Sequence, residues 1–537
     1  MKNIQKKNRF WGVGEPLVWI SGAALSLTLL SALTLLIVIM VNGLGVFWPS
    51  ALQELELKDG SSVIGMQVRT DETADGTGLR HQYKIANRDL YGLDFRWIDD
   101  SQVSSVNTPG DLLVLERIEY GDFFGRLQSL HLRNQAAVAA ATLTSLQQAL
   151  GEVASEQSAL TELNEKLMGV SHQSERLRLQ LQKLDYRKVD PQDPQRLKLL
   201  AQKKALDDSF NGLSRLQGER VGKIRQATAT FADAGGQVKE IALADIVQVY
   251  APNGMSVLDK SVFYGHKLLE LLTGEPRESN TEGGLFPAIF GTVMLIFVMS
   301  LFSFPLGVIA AVYLREYAKE GLLVRIVRIA VNNLAGIPSI VYGIFGLGFF
   351  VYGIGHSIDV LFFPERLPTP TFGTGGLLWA SLTLALLTVP VVIVATEEAL
   401  GAIPREMREG SYALGATKFQ TLYRILLPMA SPGIMTGLIL AMARAAGEVA
   451  PLMITGVVKL APALPLDGQF PFLHLDRKFM HLGFHIFDMG FQSPNVEAAK
   501  PMVFVTALLL VLIVLLMSSV AIYLRNKMKK RYTFGTF

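Results

Sequence analysis

Six long apolar runs constrain the fold of this chain more than any other feature of its sequence. A helix of such length crosses roughly 30 Å of hydrocarbon, and it satisfies its own backbone hydrogen bonds there. The runs are Leu17–Val41, Ala288–Leu314, Ile329–Ile354, Thr374–Thr396, Met429–Val458 and Met502–Leu524. The 537 residues are 50% hydrophobic and only 18% charged, which is too apolar for an ordinary soluble protein. The sequence therefore predicts a mainly α membrane protein with six transmembrane helices.

The first run predicts a retained membrane anchor. It follows a basic segment, residues 1–16, and extends from Leu17 to Val41 without a charge. A cleaved signal peptide is the competing interpretation, but its apolar region is about 7–15 residues long and ends at an A-x-A-like site. This run is longer and ends in Asn42-Gly43-Leu44-Gly45. The anchor is therefore favoured.

Residues 42–285 are hydrophilic and predict an inserted, β-rich α+β domain. Leu55–Val68 has the pattern of a β-hairpin with Asp59-Gly60 as its turn. Residues 124–230 form a tract rich in Gln, Ala and Leu, which Pro191 and Pro194 divide into two arms. Irregular heptads favour a self-folded antiparallel helical hairpin over a dimeric coiled coil.

The distribution of basic residues predicts the orientation of the spans. Lys and Arg number four in residues 1–16, 315–328 and 405–424, and five in residues 525–531. Residues 356–373 have one, and the longer stretch 459–500 has four. Because short cytoplasmic loops are enriched in Lys and Arg, we expect both termini, 1–16 and 526–537, to be cytoplasmic. Residues 42–285 are then extracytoplasmic, in the periplasm if the cell has one.

Several chemistries are disfavoured by composition and motifs. The chain has no cysteine, which excludes disulfides and thiolate chemistry, and its net charge of +3 gives no indication of nucleic-acid binding. Gly222-Lys223-Ile224 lacks the spacing of a nucleotide-binding P-loop. His481 and His485 could share a helix face, but no third metal ligand is evident. We therefore expect no catalytic residue, no metal site and no cofactor in this chain.

The loop 397–428 is too polar for lipid and predicts a helix-turn-helix. Pro404 suits a first helical turn, Arg405–Leu414 is helical in pattern, and Gly415 suits the left-handed residue that ends a helix. Thr417 has capping-box spacing to Gln420. The next helix is predicted to present Phe419, Leu422, Tyr423 and Leu426 on one face. Such a helix could dock in a groove of a partner or lie on anionic lipid.

Arg444 and Glu448 are the charges within the fifth run. Arg444 is about midway along Met429–Val458, where burying a charge costs at least ~2.5 kcal/mol. An internal ion pair one turn apart is the simple interpretation, but such a pair contributes only ~0.5 kcal/mol. A functional role is therefore the better explanation. A guanidinium suits a tetrahedral oxyanion, and a nearby carboxylate can accept a protonated oxygen.

Two motifs resemble those of a known transporter family. Glu409-Gly410-Ser411, then Gly415, then Ile425-Leu426-Leu427-Pro428 resembles the E-A-A…G…I-x-L-P loop of ABC-importer permeases, with Gly410 and Ser411 in place of two alanines. The resemblance implies that the loop couples to an ATPase subunit. The residues expected to take part are Glu409, Gly410, Ser411, Gly415, Ala416, Phe419, Leu422 and Tyr423.

The second motif, Arg444-Ala445-Ala446-Gly447-Glu448, resembles the R-A-x-G-E element of oxyanion permeases. Its continuation, Val449-Ala450-Pro451-Leu452, resembles the A-P-L ending of the A-type phosphate permease family, PstA, with Val449 where Thr is usual. The resemblance covers about residues 285–525 and the first anchor, not 45–280. It implies a six-span type I ABC-importer permease fold with its core at 286–525, and Arg444 and Glu448 on the substrate pathway.

By this resemblance the chain forms half of a phosphate translocation pathway that works by alternating access. The implied partners are a homologous C-type permease in a heterodimer, two ATPase subunits that bind ATP and Mg²⁺, and a phosphate-binding protein. A sulfate- or molybdate-type permease is the alternative within the class. A membrane sensor or scaffold is the alternative from another class, but no predicted cytoplasmic segment is large enough for an output domain.

Overall fold

The structure is a computed structural model that describes residues 15–73, 76, 78–133 and 141–532. The basic cluster of the N-terminus, at Lys2, Lys6, Lys7 and Arg9, and the tail residues 533–537 lie outside this description. The described chain is mostly helical and contains two antiparallel sheets of five strands each. The predicted fold class, a mainly α membrane protein with a strand-containing insertion, is confirmed.

Six helices within the described residues are long and apolar enough to cross a membrane, as the sequence predicts. In chain order, and named here the first to the sixth span, they are Pro16–Gly45, Phe286–Tyr317, Ser339–Phe362, Leu377–Gly401, Lys418–Ala446 and Val496–Lys530. The second and fourth spans pack tightly, because Gly307 approaches Val392 so closely that a Cβ on the glycine would lie 2.6 Å from that side chain. The sixth span packs against the first and the fifth.

Two of the predicted runs are wrong in their boundaries. Instead of one helix over 329–354, the structure has an amphipathic helix, Leu322–Leu334, a break, and a span that begins at Ser339. Pro338 precedes that span with extended backbone, φ −55° and ψ 134°, and therefore ends the continuity. An apolar run alone does not reveal such a break.

The fifth run also differs from its prediction of 429–458. Its helix begins at Lys418, passes through a π-helical turn, Leu422–Leu426, and ends at Ala446. Gly447 follows the helix, and the chain restarts as a separate short helix, Ala450–Thr455, with Pro451 in its first turn. Arg444 is therefore in the last turn of the span and not midway along it.

The described part of the insertion contains two five-stranded antiparallel sheets and a two-stranded one, in which Pro276–Arg277 pairs with Glu282–Gly283. The first has the order β4-β3-β2-β1-β5 and the second has the order β10-β6-β7-β8-β9. The strands are β1 (Gln53–Leu57), β2 (Ser62–Glu72), β3 (Leu79–Lys84), β4 (Phe95–Asp99), β5 (Val103–Asn107), β6 (Leu113–Arg117), β7 (Phe123–His131), β8 (Thr228–Ala232), β9 (Val238–Ala242) and β10 (Ile246–Tyr250). The predicted β-hairpin is confirmed, since β1 pairs with β2 and Gly60 has a φ of 83° between them.

A helical hairpin emerges from the second sheet, with arms Leu143–Tyr186 and Pro194–Ile224. The predicted extent of 124–230 is wrong at both ends, because β7 and β8 pair with each other in those residues. The first three residues of β7, including Phe123 and Phe124, are all buried, as expected of a strand that is covered on both faces. The predicted tract also includes residues 134–140, which lie outside the described residues. Between the arms, Gln217 donates to Asn164 at 2.7 Å.

The remaining helices are short or peripheral. They are Arg88–Tyr91 and Val257–Thr273 in the insertion, Arg405–Ala413 between the fourth and fifth spans, and Leu482–Phe487 before the sixth. The last helix extends from Val496 to Tyr532 and includes the sixth span.

The insertion contacts the membrane part at loops that follow the third and fifth spans. Lys183, near the tip of the hairpin, is 3.6 Å from Glu365 after the third span. Asn280 donates to the carbonyl of Lys459 at 2.9 Å after the fifth span. With six crossings, both loops lie on the same side of the membrane as the insertion, which follows the first span. The hairpin does not simply project from its sheet; its tip rests on the membrane part.

Charged side chains are concentrated where the insertion joins the second span. Glu282 is mostly buried, and its burial, together with Asp122 and Glu116, raises its pKa to about 7 against the opposing effect of Lys84 and Arg277. The ordinary pKa of a Glu side chain is 4.5. The folded domain therefore binds a proton that the unfolded chain releases between pH 4.5 and about 7.

Stability of the insertion is therefore expected to fall as pH rises through this window. Hydrogen exchange of β6 and β7, corrected for the intrinsic rates, should give a smaller free energy of opening at pH 8 than at pH 5. Glu282→Gln should flatten this dependence, whereas Glu119→Gln, at an exposed position, should leave it unchanged. An equal slope in Glu282→Gln and in the unsubstituted chain would contradict the assignment.

Candidate functional site

The loop between the fourth and fifth spans folds as a helix-turn-helix. Its first helix, Arg405–Ala413, is here called the loop helix and begins directly after Pro404. Gly415 has a φ of 82°, the left-handed conformation expected of it, and Thr417 forms the predicted capping box with Gln420. These local predictions are confirmed. They fix the angle between the loop helix and the fifth span.

Arg408 ties the loop helix to the membrane part. Its guanidinium donates to the carbonyl oxygens of Leu400 at 2.8 Å and Ile403 at 3.1 Å, and it pairs with Glu316 at 3.0 Å. The first two acceptors are carbonyls at the end of the fourth span and just after it, where a cation is favoured by the helix dipole. Arg408 is not among the residues predicted for this loop, because its carboxylate partner lies 92 residues away.

Ser411 is the second anchor of the loop. It is buried, and its hydroxyl lies 2.8 Å from the hydroxyl of Thr421 on the next helix. The two helices are thereby joined by a hydrogen bond at a position where the resembling motif has alanine. Gly410, in contrast, is exposed, and a Cβ built there would contact no other atom within 4 Å. Its small size therefore serves no packing within this chain.

Three large apolar side chains form an exposed patch on the loop, here called the loop face. Leu414 is 90% exposed, and Phe419 and Tyr423 are each 66% exposed. The Phe419 and Tyr423 rings stack, with centroids 6.2 Å apart and planes 7° from parallel. The polar residue Glu409 is also exposed, and Ala416 is half-buried. The loop face thus combines a preformed aromatic pair with an adjacent apolar residue.

The prediction that Leu422 and Leu426 share this face is wrong. Both are buried in a cluster with Leu400, Ala430 and Ile434 between the fourth and fifth spans. The π-helical turn, Leu422–Leu426, has more residues per turn than an α-helix, so it shifts the register that the α-helical spacing assumes. Leu422 therefore holds the second helix in place and is not part of the exposed surface.

Arg444 and Glu448 form a loose pair at the end of the fifth span. Arg444 Nε lies 3.8 Å from Glu448 Oε1, which confirms that the two residues reach each other. An Nη atom of Arg444 lies 3.4 Å from the carbonyl oxygen of Ala335, next to the break before the third span. The side chains are 34% and 20% exposed. The guanidinium is thus held by long contacts and remains open on one side.

Glycines of the third span position the backbone that follows this pair. A Cβ on Gly343 would lie 2.7 Å from the Cα of Pro451, and one on Gly346 would lie 2.2 Å from the hydroxyl of Thr383. The third span can therefore approach the helix Ala450–Thr455 and the fourth span closely only because these residues are glycine. The hydroxyl of Tyr342, on the same span, donates to the carbonyl of Leu334 at 2.7 Å. This packing fixes both sides of the break that Arg444 contacts.

His481 and His485 occupy buried, hydrogen-bonded positions. His481 caps the helix Leu482–Phe487 by accepting from the amide of Gly483 at 3.1 Å. His485 contacts the carbonyl of Asn280 at 3.2 Å and the hydroxyl of Thr506 at 3.1 Å. Burial lowers the pKa of each histidine to about 4. Within the described part of the chain, no group of three or more His, Asp and Glu side chains is arranged to hold a metal ion.

The class of the protein follows from its similarity to a known family. Residues 303–530 match the family described as "Binding-protein-dependent transport system inner membrane component". Six spans, a helix-turn-helix loop and this match define the permease subunit of an ABC transporter in the inner membrane. A solved structure of the MetNI methionine ABC transporter in inward-facing form is 21% identical, with a TM-score of 0.34. The matched region is 45% of this chain and 95% of the chain in that structure.

Curated relatives define the family. The phosphate transport system permease protein PstA 1 of Mycobacterium tuberculosis is 33% identical over 233 residues, which are 43% of this chain and 69% of the relative. The PstA protein of Yersinia pestis is 34% identical over 247 residues, which are 46% of this chain and 74% of the relative. The chain belongs to the PstA family of permeases.

Proposed function

We propose that this chain is a permease subunit of an ATP-driven importer of inorganic phosphate, and that it forms half of the translocation pathway. The observation that supports this most directly is the open, loosely paired guanidinium of Arg444 at the end of a membrane span. This guanidinium is available to an anion, because its carboxylate contact is too long to be a strong ion pair. The names of the relatives, phosphate transport permeases, agree with this role.

The chemistry of the pair suits phosphate. Arg444 presents planar donors that match two oxygens of a tetrahedral anion, and Glu448 supplies an acceptor beside it. Phosphate near neutral pH retains a proton on oxygen and can donate it to a carboxylate, whereas sulfate has no such proton. Glu448 would therefore favour phosphate over sulfate, which it would repel.

Alternating access requires a way to receive force from an ATPase. In our proposal the loop face, Leu414, Phe419 and Tyr423, docks on an ATPase subunit that binds ATP and Mg²⁺, and Arg408 and Ser411 transmit the displacement to the spans. The anchoring contacts at Leu400, Ile403 and Glu316 support this, since they make the loop helix move with the fourth span and the end of the second. The other partners are a homologous C-type permease, a second ATPase subunit and a phosphate-binding protein.

The orientation follows from the same proposal. The loop is cytoplasmic, both termini are cytoplasmic, and residues 42–285 are extracytoplasmic, as the distribution of Lys and Arg predicts. Contacts of the insertion with Glu365 and Lys459 agree with six crossings, because their loops and the insertion then lie on one side, and the choice of that side rests on Lys and Arg alone.

Uptake of labelled phosphate into liposomes that contain the chain and its co-purifying subunits tests this function. ATP is supplied on the side of the loop face and binding protein on the other, with sulfate and molybdate as competitors. We expect uptake that needs ATP and resists both competitors, and Glu448→Gln should weaken the discrimination against sulfate. ATP-driven uptake of sulfate or molybdate without phosphate uptake would contradict phosphate as the substrate but would still support the role as a permease.

A further inference from the structure

The helix Val257–Thr273 of the insertion, here called the junction helix, has two apolar faces. One face is buried: Phe263 packs on Tyr250 of the second sheet at 4.5 Å between ring centroids, and Leu271 packs against the base of the second and sixth spans. The other face is exposed and is here called the junction face. It consists of Val257, Leu258, Val262, Leu269 and Leu272. At 3.6 residues per turn these side chains fall within about 140° of the helix circumference.

The junction helix lies at the ends of two membrane spans. The hydroxyl of Tyr264 donates to the carbonyl of Leu44 at 3.0 Å, one residue before the first span ends. The ring of Trp48, just beyond that span, lies 6.2 Å from the Tyr264 ring. At the other end, the amide of Phe286, the first residue of the second span, donates to the carbonyl of Gly274 at 3.2 Å. These contacts place the helix at the level where the membrane surface must be.

We propose that the junction face inserts into the surface of the lipid bilayer, so that the junction helix anchors the inserted domain to the membrane. Leu258 is 78% exposed, and an exposed apolar stripe of five residues is unfavourable in water. Leu44 and Phe286, at the ends of the adjoining spans, are also exposed apolar residues. Trp and Tyr at this level are typical of the boundary between hydrocarbon and headgroups.

Lipid is favoured over a protein partner by the position of the helix at the ends of two spans, and the distribution of charge around the helix agrees with this. Lys267 points away from the junction face, is buried, and is paired with Glu116 and Glu270. The junction face itself is free of charged side chains, as is typical of an interfacial helix with its apolar side in lipid. The proposal does not rest on the phosphate assignment, because it needs only the membrane position of the two spans.

Site-directed spin labelling can test this, because the chain contains no cysteine. A nitroxide is attached at Leu258→Cys, Val262→Cys or Leu269→Cys of the full chain. The labelled chain is purified with its co-purifying subunits and reconstituted in liposomes. Leu197→Cys is the matched control, an exposed leucine of the hairpin. Molecular oxygen concentrates in lipid. It should raise the spin relaxation rate of the three junction labels several-fold more than a water-soluble nickel chelate does. The control should show the reverse.

Two results would overturn the proposal. If the nickel chelate reaches the three junction labels as readily as it reaches position 197, the junction face is in water. If neither reagent reaches them, a protein subunit covers the face instead of lipid. Because the labels report on the surroundings and not on transport, loss of phosphate uptake would leave this result unaffected.

Discussion

Arg444→Ala is expected to lower ATP-driven phosphate uptake by about 10- to 150-fold while the subunits still assemble. Hydrogen bonds that involve a charged group contribute about 1.5–3 kcal/mol, and about 1.4 kcal/mol corresponds to a factor of ten. The contacts of Arg444 within the chain are long, 3.8 Å to Glu448 and 3.4 Å to Ala335. Removal of the guanidinium should therefore lower the stability of the fold only slightly, and its main effect should be on binding of the anion. Initial rates of labelled phosphate uptake in liposomes measure the effect.

Arg444→Lys separates charge from geometry. Lysine retains the positive charge but lacks the planar fork that binds two oxygens, so its uptake should lie between those of alanine and arginine. Co-purification of the partner subunits with each variant shows whether assembly is intact. Uptake by Arg444→Ala at the rate of the unsubstituted transporter would remove Arg444 from the pathway, and equal rates for the lysine and alanine variants would reject the role of the fork.

Features encoded over a few neighbouring residues were predictable from the sequence. The number of membrane helices follows from apolar length, and the turn of the loop follows from Gly415 and Thr417, whose conformations depend on their immediate neighbours. Arg444 and Glu448 are four residues apart and reach each other even though the helix ends at Ala446, between them. In each case the relevant interaction lies within one turn or one helix.

Features that depend on distant residues or on a change of helix type were not predictable. The ion pair of Arg408 with Glu316 and the contact of Lys183 with Glu365 each join residues far apart in the chain. The π-helical turn placed Leu422 inside the protein, although α-helical spacing put it beside Phe419. Gly336 and Pro338 are local signals for a helix end, but the uncharged run around them was interpreted as one span, so the break that Arg444 contacts was missed.

Replacing both aromatic rings of the loop face, Phe419→Ala with Tyr423→Ala, is expected to weaken binding of the ATPase subunit by at least about 25-fold. An aromatic side chain at the centre of an interface often contributes about 2 kcal/mol or more, and the lower bound corresponds to one such ring, because the contributions of neighbouring rings are not additive. Phe419 and Tyr423 are exposed and already stacked, so they need little ordering to dock. Phosphate-stimulated ATP hydrolysis and uptake should fall together, and titration of the purified ATPase subunit onto the reconstituted permease measures the affinity.

Two further variants distinguish docking from other effects of the substitution. Tyr186→Ala removes a similarly exposed aromatic ring from the hairpin, and it should leave the affinity for the ATPase unchanged. Leu422→Ala removes a buried side chain beside the same loop, and it should lower thermal stability more than it lowers affinity, because it opens a cavity between the fourth and fifth spans. Normal ATPase affinity in the double aromatic variant would show that the loop face does not dock there. The alternative, that the rings lie on anionic lipid, would then be tested by measuring contact of the loop face with labelled lipid, which the double variant should lose.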